Sequence, residues 1–270
     1  MPQPQRTLSA FESTLLAKLD RQGRYVLRIP EDTPLVMEIA GSAAAARNLV
    51  NSLAAKDWIV PIRRGIWAVR SRKLTLEISA LDVVGFVTPD LHLVTVGRAL
   101  SEHRLSDQTF HSIVVITNAR LKGWQWQGET VKYVMMPPAR IWGAAERSSL
   151  LPTHLASEER ALLDSLAHPR WGVSLAHLVE ALARYLQRAG ETDKLALAAA
   201  RYKNAHLARR LGFLIERLGG DGKALPFRAL RGRTKGAIPL NLLMPTERQP
   251  NLDSRWGVHF QDIDTLVGER

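Results

Sequence analysis

The chain has 270 residues, a formal net charge of +11 at pH 7 and no cysteine, so disulfides and thiolate metal sites are excluded. No apolar run is long enough to span a bilayer, and the opening "MPQPQRTLSA" lacks the apolar core of a signal peptide, so the expectation is a cytoplasmic protein without membrane contact. A hydrophobic share of 46% is ordinary for a globular protein, whereas the charge excess is not; such a surface attracts polyanions, mostly nucleic acid or anionic membrane, unless it is merely a basic solvated surface.

"SAFE" (Ser9 to Glu12) has the spacing of a capping box, and Leu8, Phe11, Leu15 and Leu19 then recur at helical intervals. A break over residues 20–34 contains a short strand candidate. "LVMEIA" (Leu35 to Ala40) suits a short helix that Gly41 stops, and Ser42 can cap a longer one running to about Asp57. Next, "DWIVPIRRGIWAV" places two apolar runs around Arg63, Arg64 and Gly65, the pattern of a tight β-hairpin. Helix, short helix, turn, longer helix and hairpin is the order of a winged helix-turn-helix, here assigned to residues 1–72.

The faces of the longer helix support that order. Ala46, Leu49, Val50, Leu53 and Ala54 share one side; Ala44, Asn48, Asn51 and Ala55 lie opposite, with Arg47 and Ser52 flanking. Small residues let a helix enter the major groove. An asparagine there can pair bidentately with adenine, and an arginine with guanine or phosphate. Arg63 and Arg64 would then sit at a wing tip beside the reading helix, touching phosphate or the minor groove. Charge on a solvated hairpin tip is the plainer account of those two alone.

The expected fold class is α+β: after the winged helix-turn-helix, residues 73–270 are expected to form a mixed α/β domain, strand-rich over 74–138, helix-rich over 157–220 and ending in a basic helical region. "KLTLEISAL" alternates as a half-buried strand does, "LHLVTVGRALSEHRL" starts extended and turns helical, and "FHSIVVITN" reads as a buried strand. "WQWQGETVKYVMM" reads as a hairpin turning at Gln127-Gly128. Trp124 and Trp126 share one strand face there, as sheet core or as a base-stacking platform. "SEERALLDSLAHP" carries a serine cap and early acids, with Leu162, Leu163 and Leu166 facing inward; Arg160 and Asp164 are four apart and can pair. Further helices follow, with one stripe of Leu175, Leu178, Leu182, Tyr185 and Leu186 and another of Leu207, Leu211, Leu214, Ile215 and Leu218. Between Arg184 and Lys235 thirteen Lys/Arg face only four acids, so a second polyanion-facing surface competes with a simple solvated face.

The sequence carries few catalytic signatures. No Gly-rich phosphate loop, His-Glu-x-x-His or nucleophile elbow occurs. Pro89-Asp90 is followed by Glu129-Thr-Val-Lys132, one residue too long for the usual magnesium-nuclease spacing, and Asp262 with Asp264 lack a nucleotidyltransferase context. The expectation is a protein that is not an enzyme and needs no cofactor or metal.

"IRRGIWAV", "LVTVGRALSEHRLSD", "SEERALLDSLAHPRWG", "NAHLARRLGFLIERLG" and "DSRWGVHF", in this order and spacing, resemble the AbiEi family of antitoxins from type IV abortive-infection toxin–antitoxin systems. The resemblance covers most of the chain. It implies an N-terminal winged helix that binds promoter inverted repeats in double-stranded DNA and represses its own operon. It also implies a C-terminal antitoxin domain and a nucleotidyltransferase-like toxin opposed without a stable complex. On this resemblance, Arg47, Asn48, Asn51, Arg63 and Arg64 would bind DNA, with a C-terminal basic cluster at Arg201, Lys203, Arg209 and Arg210; Ser42, which caps the reading helix, and Ser52, which flanks its outer face, join the expected DNA-binding set. The alternatives are a stand-alone winged-helix transcription factor with a ligand- or partner-sensing C-terminal domain, a nucleic-acid-processing enzyme, and an RNA-binding protein.

Overall fold

The protein is described from a computed structural model, over residues 7–70, 79–89, 91–145, 153–188, 191–232 and 236–261. Outside these lie most of the expected strand "KLTLEISAL", the expected boundary between residues 72 and 73, and Asp90, Arg233, Lys235, Asp262 and Asp264. The described residues form a mixed α+β protein with ten α-helices and three sheets. No helix among them is long and apolar enough to cross a membrane.

The chain divides into two compact units. The first comprises Met1–Asp90, Gly123–Thr130 and Leu151–Thr153. It begins with α1 (Ala10–Arg21), whose capping box forms as the sequence predicts: the Glu12 amide donates to the Ser9 hydroxyl, and the Ser9 amide to Glu12. Then come β1 (Val26–Arg28), α2 (Thr33–Ala40), α3 (Ala43–Ala55), β2 (Ile59–Arg63) and β3 (Ile66–Val69). Gly41, at φ 84°, ends α2 in the left-handed region, and the Ser42 hydroxyl accepts from the Ala45 amide to start α3. The strands pair antiparallel in the order β1-β3-β2. Leu15, Leu19, Leu27, Val36, Leu49, Leu53 and Ile59 fill the core beneath them. Phe11, at helical spacing with that core, instead stands 59% exposed.

One polar knot ties α1 to α3. Glu12 is buried, and its carboxylate accepts from the Ser52 hydroxyl at 2.7 Å and from Lys56 Nζ at 2.8 and 2.9 Å. Burial pushes this carboxyl up, but the Lys56 ammonium, the Ser52 hydroxyl and the Ser9 amide outweigh it and hold the pKa at about 2.

The first unit also contains α4 (Ala80–Val87), a mostly apolar segment in which Ala80 and Leu81, the end of the expected strand "KLTLEISAL", are helical instead. The Ser79–Asp82 capping box settles it as a helix. Thr153 bridges this helix, donating to the Leu81 carbonyl and accepting from the Gly85 amide.

The second unit comprises Leu91–Lys122, Val131–Leu150 and His154–Arg270. β4 (His92–Thr95) runs straight into α5 (Val96–Glu102), and β5 (Ser112–Thr117) pairs antiparallel with β4. β6 (Trp124–Trp126) lies in the first unit, while β7 (Glu129–Met135) follows β5 in the strand order β4-β5-β7. The β6–β7 hairpin turns where expected, with Gln127 and Gly128 both at positive φ. Trp124 and Trp126 are both buried, as sheet core requires and a stacking platform does not.

The helices follow as α6 (Glu158–Ala167), α7 (Leu175–Leu186), α8 (Glu191–Tyr202), α9 (Ala205–Gly219) and α10 (Asp221–Arg228). Three short strands, β8 (Ile238–Pro239), β9 (Asn251–Asp253) and β10 (Val258–Phe260), make a sheet of order β8-β10-β9. Helix α9 lies at the centre, packed by α6, α7, α8, α10 and β10. Gly212 on α9 is required there, because a Cβ would fall inside the buried Trp256 ring.

Candidate nucleic-acid interface

The outer face of α3 is as the sequence predicts. Arg47, Asn48 and Asn51 are all exposed, while Ala46, Leu49, Val50 and Leu53 are buried beneath them. Ser42 is exposed at the N-terminal end, where free backbone amides and the helix dipole favour an anion. Among the described residues, none of Arg47, Asn48 and Asn51 has a carboxylate partner, so their donors are available to an incoming ligand.

Two of the other expected contacts are corrected. Ser52 does not face outward: its hydroxyl donates to Glu12 and belongs to the α1–α3 knot. Position 52 lies on the seam between the two faces, and the buried carboxylate draws it inward. Arg63 is not at the hairpin tip either. A register shift between Pro61 and Arg63 leaves it paired with Ile66 inside the sheet, half-buried, and its guanidinium donates to the Val87 carbonyl at 3.2 Å. Val87 ends α4, where carbonyls lack helical partners and a cation satisfies one of them.

The tip itself is Arg64-Gly65, and Arg64 is exposed there. Gly65 sits at φ 78°, and a Cβ would come within 2.6 Å of the Ile29 carbonyl. The Ile29 amide donates back to the Gly65 carbonyl at 2.7 Å, so the tip is held against the chain leaving β1. The first unit therefore presents Ser42, Arg47, Asn48 and Asn51 on one helix face and Arg64 on a pinned two-residue turn.

In the second unit the expected basic cluster splits. Arg209 and Arg210 are buried, 5% and 4% exposed, and are not surface cations. A helix stripe implies one buried side, but α9 is covered on several, so its arginines are enclosed too. Arg209 donates to the carbonyls of Trp256, Gly236 and Gly257, between 2.5 and 2.8 Å, and burial pushes its guanidinium pKa down. Arg210 donates to the Leu166 carbonyl at 3.0 Å; burial pushes it down to about 10.

Arg201 and Lys203 are exposed, and Arg201 lies 4.7 Å from the centre of the Trp142 ring. Arg140, exposed and not singled out by the sequence, reaches the same corner by donating to the Tyr202 carbonyl at 3.1 Å. Sixty-two residues separate that pair, so no local pattern signals it.

Behind this corner the "ERALLD" stretch forms the pair its spacing suggests. Arg160 Nε donates to Asp164 at 2.9 Å with both side chains almost wholly enclosed. Thr95 and Tyr202 donate to the same carboxylate at 2.7 and 3.0 Å, and Arg160 also donates to the carbonyls of Arg140 and Trp142. Burial and the Asp164 charge raise the Tyr202 hydroxyl pKa, so the phenol stays protonated. His168 lies 3.2 Å from the Tyr202 hydroxyl, and burial pushes its pKa down. Both carboxylate oxygens of Asp164 accept from fixed donors, and Arg160 is held by that carboxylate and two carbonyls, the arrangement of a structural lock. Among the described residues no cluster of His, Asp and Glu is arranged to hold a metal ion.

No family model matches the chain, and no curated protein matches it. Among solved structures it is similar to the RV2827C protein from Mycobacterium tuberculosis, with a TM-score of 0.68 and 14% identity over 97% of this chain and 95% of that one. At that identity the likeness establishes a shared α+β fold across nearly the whole length of both chains.

Proposed function

We propose that the protein is a sequence-specific double-stranded DNA-binding protein whose first unit is a winged helix-turn-helix. The observation that carries this is the α3 face: one guanidinium and two carboxamides, all exposed, with no carboxylate partner among the described residues. The order α1, β1, α2, α3 and a β2–β3 hairpin, with β1 completing the sheet, is the order in which such domains place a reading helix beside a wing. Asn48 and Asn51 would read base edges, Arg47 a guanine or phosphate, and Ser42 with the α3 amides a phosphate. Arg64, not Arg63, would supply the wing contact.

The sequence resemblance to AbiEi antitoxins supports a narrower reading. The protein would act in the cytoplasm as antitoxin and autorepressor, opposing a nucleotidyltransferase-like toxin without a stable complex. Its test is a fluorescence-anisotropy titration of the full chain against duplex from its own upstream region, at several salt concentrations, with scrambled duplex as control. Discrimination against the scramble, lost in Asn51→Ala at about 1–3 kcal/mol, is the expected result. Equal, salt-labile binding to both duplexes overturns sequence-specific recognition.

A further inference from the structure

A cavity of about 420 Å³ opens beside α3 in the first unit. That volume lies within the range of small-molecule sites. The buried Val36 and Val50 form its floor, and the half-buried Ile29 and Trp67 close it from the side of the sheet. Arg47 and Asn51 stand on its rim, both exposed. No acidic residue lines it.

We propose that this cavity binds a small amphipathic anion, with an aromatic or branched aliphatic body and a carboxylate or sulfonate head. The body would cover the two valines and the Trp67 indole, releasing water from apolar surface. The head would pair with the Arg47 guanidinium, which has no carboxylate partner among the described residues, and Asn51 would donate its carboxamide hydrogens. A cation finds no counter-charge among the lining residues, and a neutral apolar molecule leaves the Arg47 donors unused. Because Arg47 and Asn51 are also the proposed DNA readers, an occupied cavity excludes duplex, and by linkage duplex weakens the ligand equally. This second consequence rests on the DNA-binding reading; the site itself does not.

The test uses anilinonaphthalene sulfonate as probe, titrated into the full chain by fluorescence and calorimetry. One saturable site is expected. Arg47→Ala should weaken it about tenfold, and Ala43→Phe, which fills the mouth from an exposed lining position, should abolish it. Circular dichroism checks that both variants remain folded. Unchanged affinity and stoichiometry in the two variants, or no saturable site, overturns the proposal. A second arm adds the probe to a protein–duplex mixture, where release of duplex is expected. Probe binding at this site with no duplex binding leaves the ligand site standing and removes the DNA reading. Simultaneous binding of both without competition overturns the regulatory link.

Discussion

Replacing Glu12 by Gln keeps the shape of the side chain and removes its charge. The Glu12 pKa of about 2, against 4.5 for a free glutamate, corresponds to about 3 kcal/mol of stability at pH 7. A depressed carboxyl contributes fully above pH 4.5 and loses its contribution as pH falls toward 2. The penalty of Glu12→Gln should therefore be about 3 kcal/mol at pH 7 and roughly half of that at pH 3. Lys56 is 33% exposed, so water can rehydrate its ammonium in the variant and the penalty should not exceed that figure. Urea titration followed by far-UV circular dichroism measures both values, and hydrogen exchange of the α1 and α3 amides identifies the transition that belongs to the first unit. A Glu12→Gln/Lys56→Met cycle should show coupling between the two positions. A penalty below about 0.5 kcal/mol at pH 7, or one that does not change with pH, would refute the assignment of the α1–α3 tie to this carboxylate.

Arg64→Glu should weaken binding to every duplex and flatten its salt dependence, whereas Arg63→Met should leave the salt slope unchanged; equal slopes in the two variants would show that the hairpin tip does not meet phosphate. Arg209→Met and Arg210→Met should lower thermal stability and leave the salt slope of the folded protein unaltered. Asp164→Ala strands the enclosed Arg160 charge and should cost about 3–5 kcal/mol in urea unfolding, with Asp164→Asn costing less. His168 has its pKa lowered by burial, so the folded state resists protonation and stability should drop as pH falls below 6.5. Melting at pH 7.5 and 5.5 should show a smaller drop for His168→Gln than for the wild type.

The local signals were legible where the physics is local. The Ser9–Glu12 and Ser157 caps, the Gly41 stop, the Gln127-Gly128 turn and the inner face of α3 each depend on neighbours within a few residues. Arg160 and Asp164 fall in the same class, because i,i+4 residues meet on any helix. The candidate site was legible to the same extent: helical period alone puts Arg47, Asn48 and Asn51 on the outer face. Helix α10 was not, since "DGKALPFR" contains Gly222 and Pro226 and forms only because Ala224 and Phe227 are buried.

By itself, then, the sequence determined the mixed α+β class, the helices and hairpin of the first 70 residues and the polar outer face of α3, because capping, turn chemistry and periodicity act over a few residues. Only the tertiary structure decided which charges are solvated. Glu12 meets Lys56 across 44 residues, and Arg209 meets Gly257 across 48. Such partners come together only when distant segments pack. That packing turned two expected surface arginines into buried braces, drew Arg63 and Ser52 inward, and left Arg47, Asn48, Asn51 and Arg64 facing water.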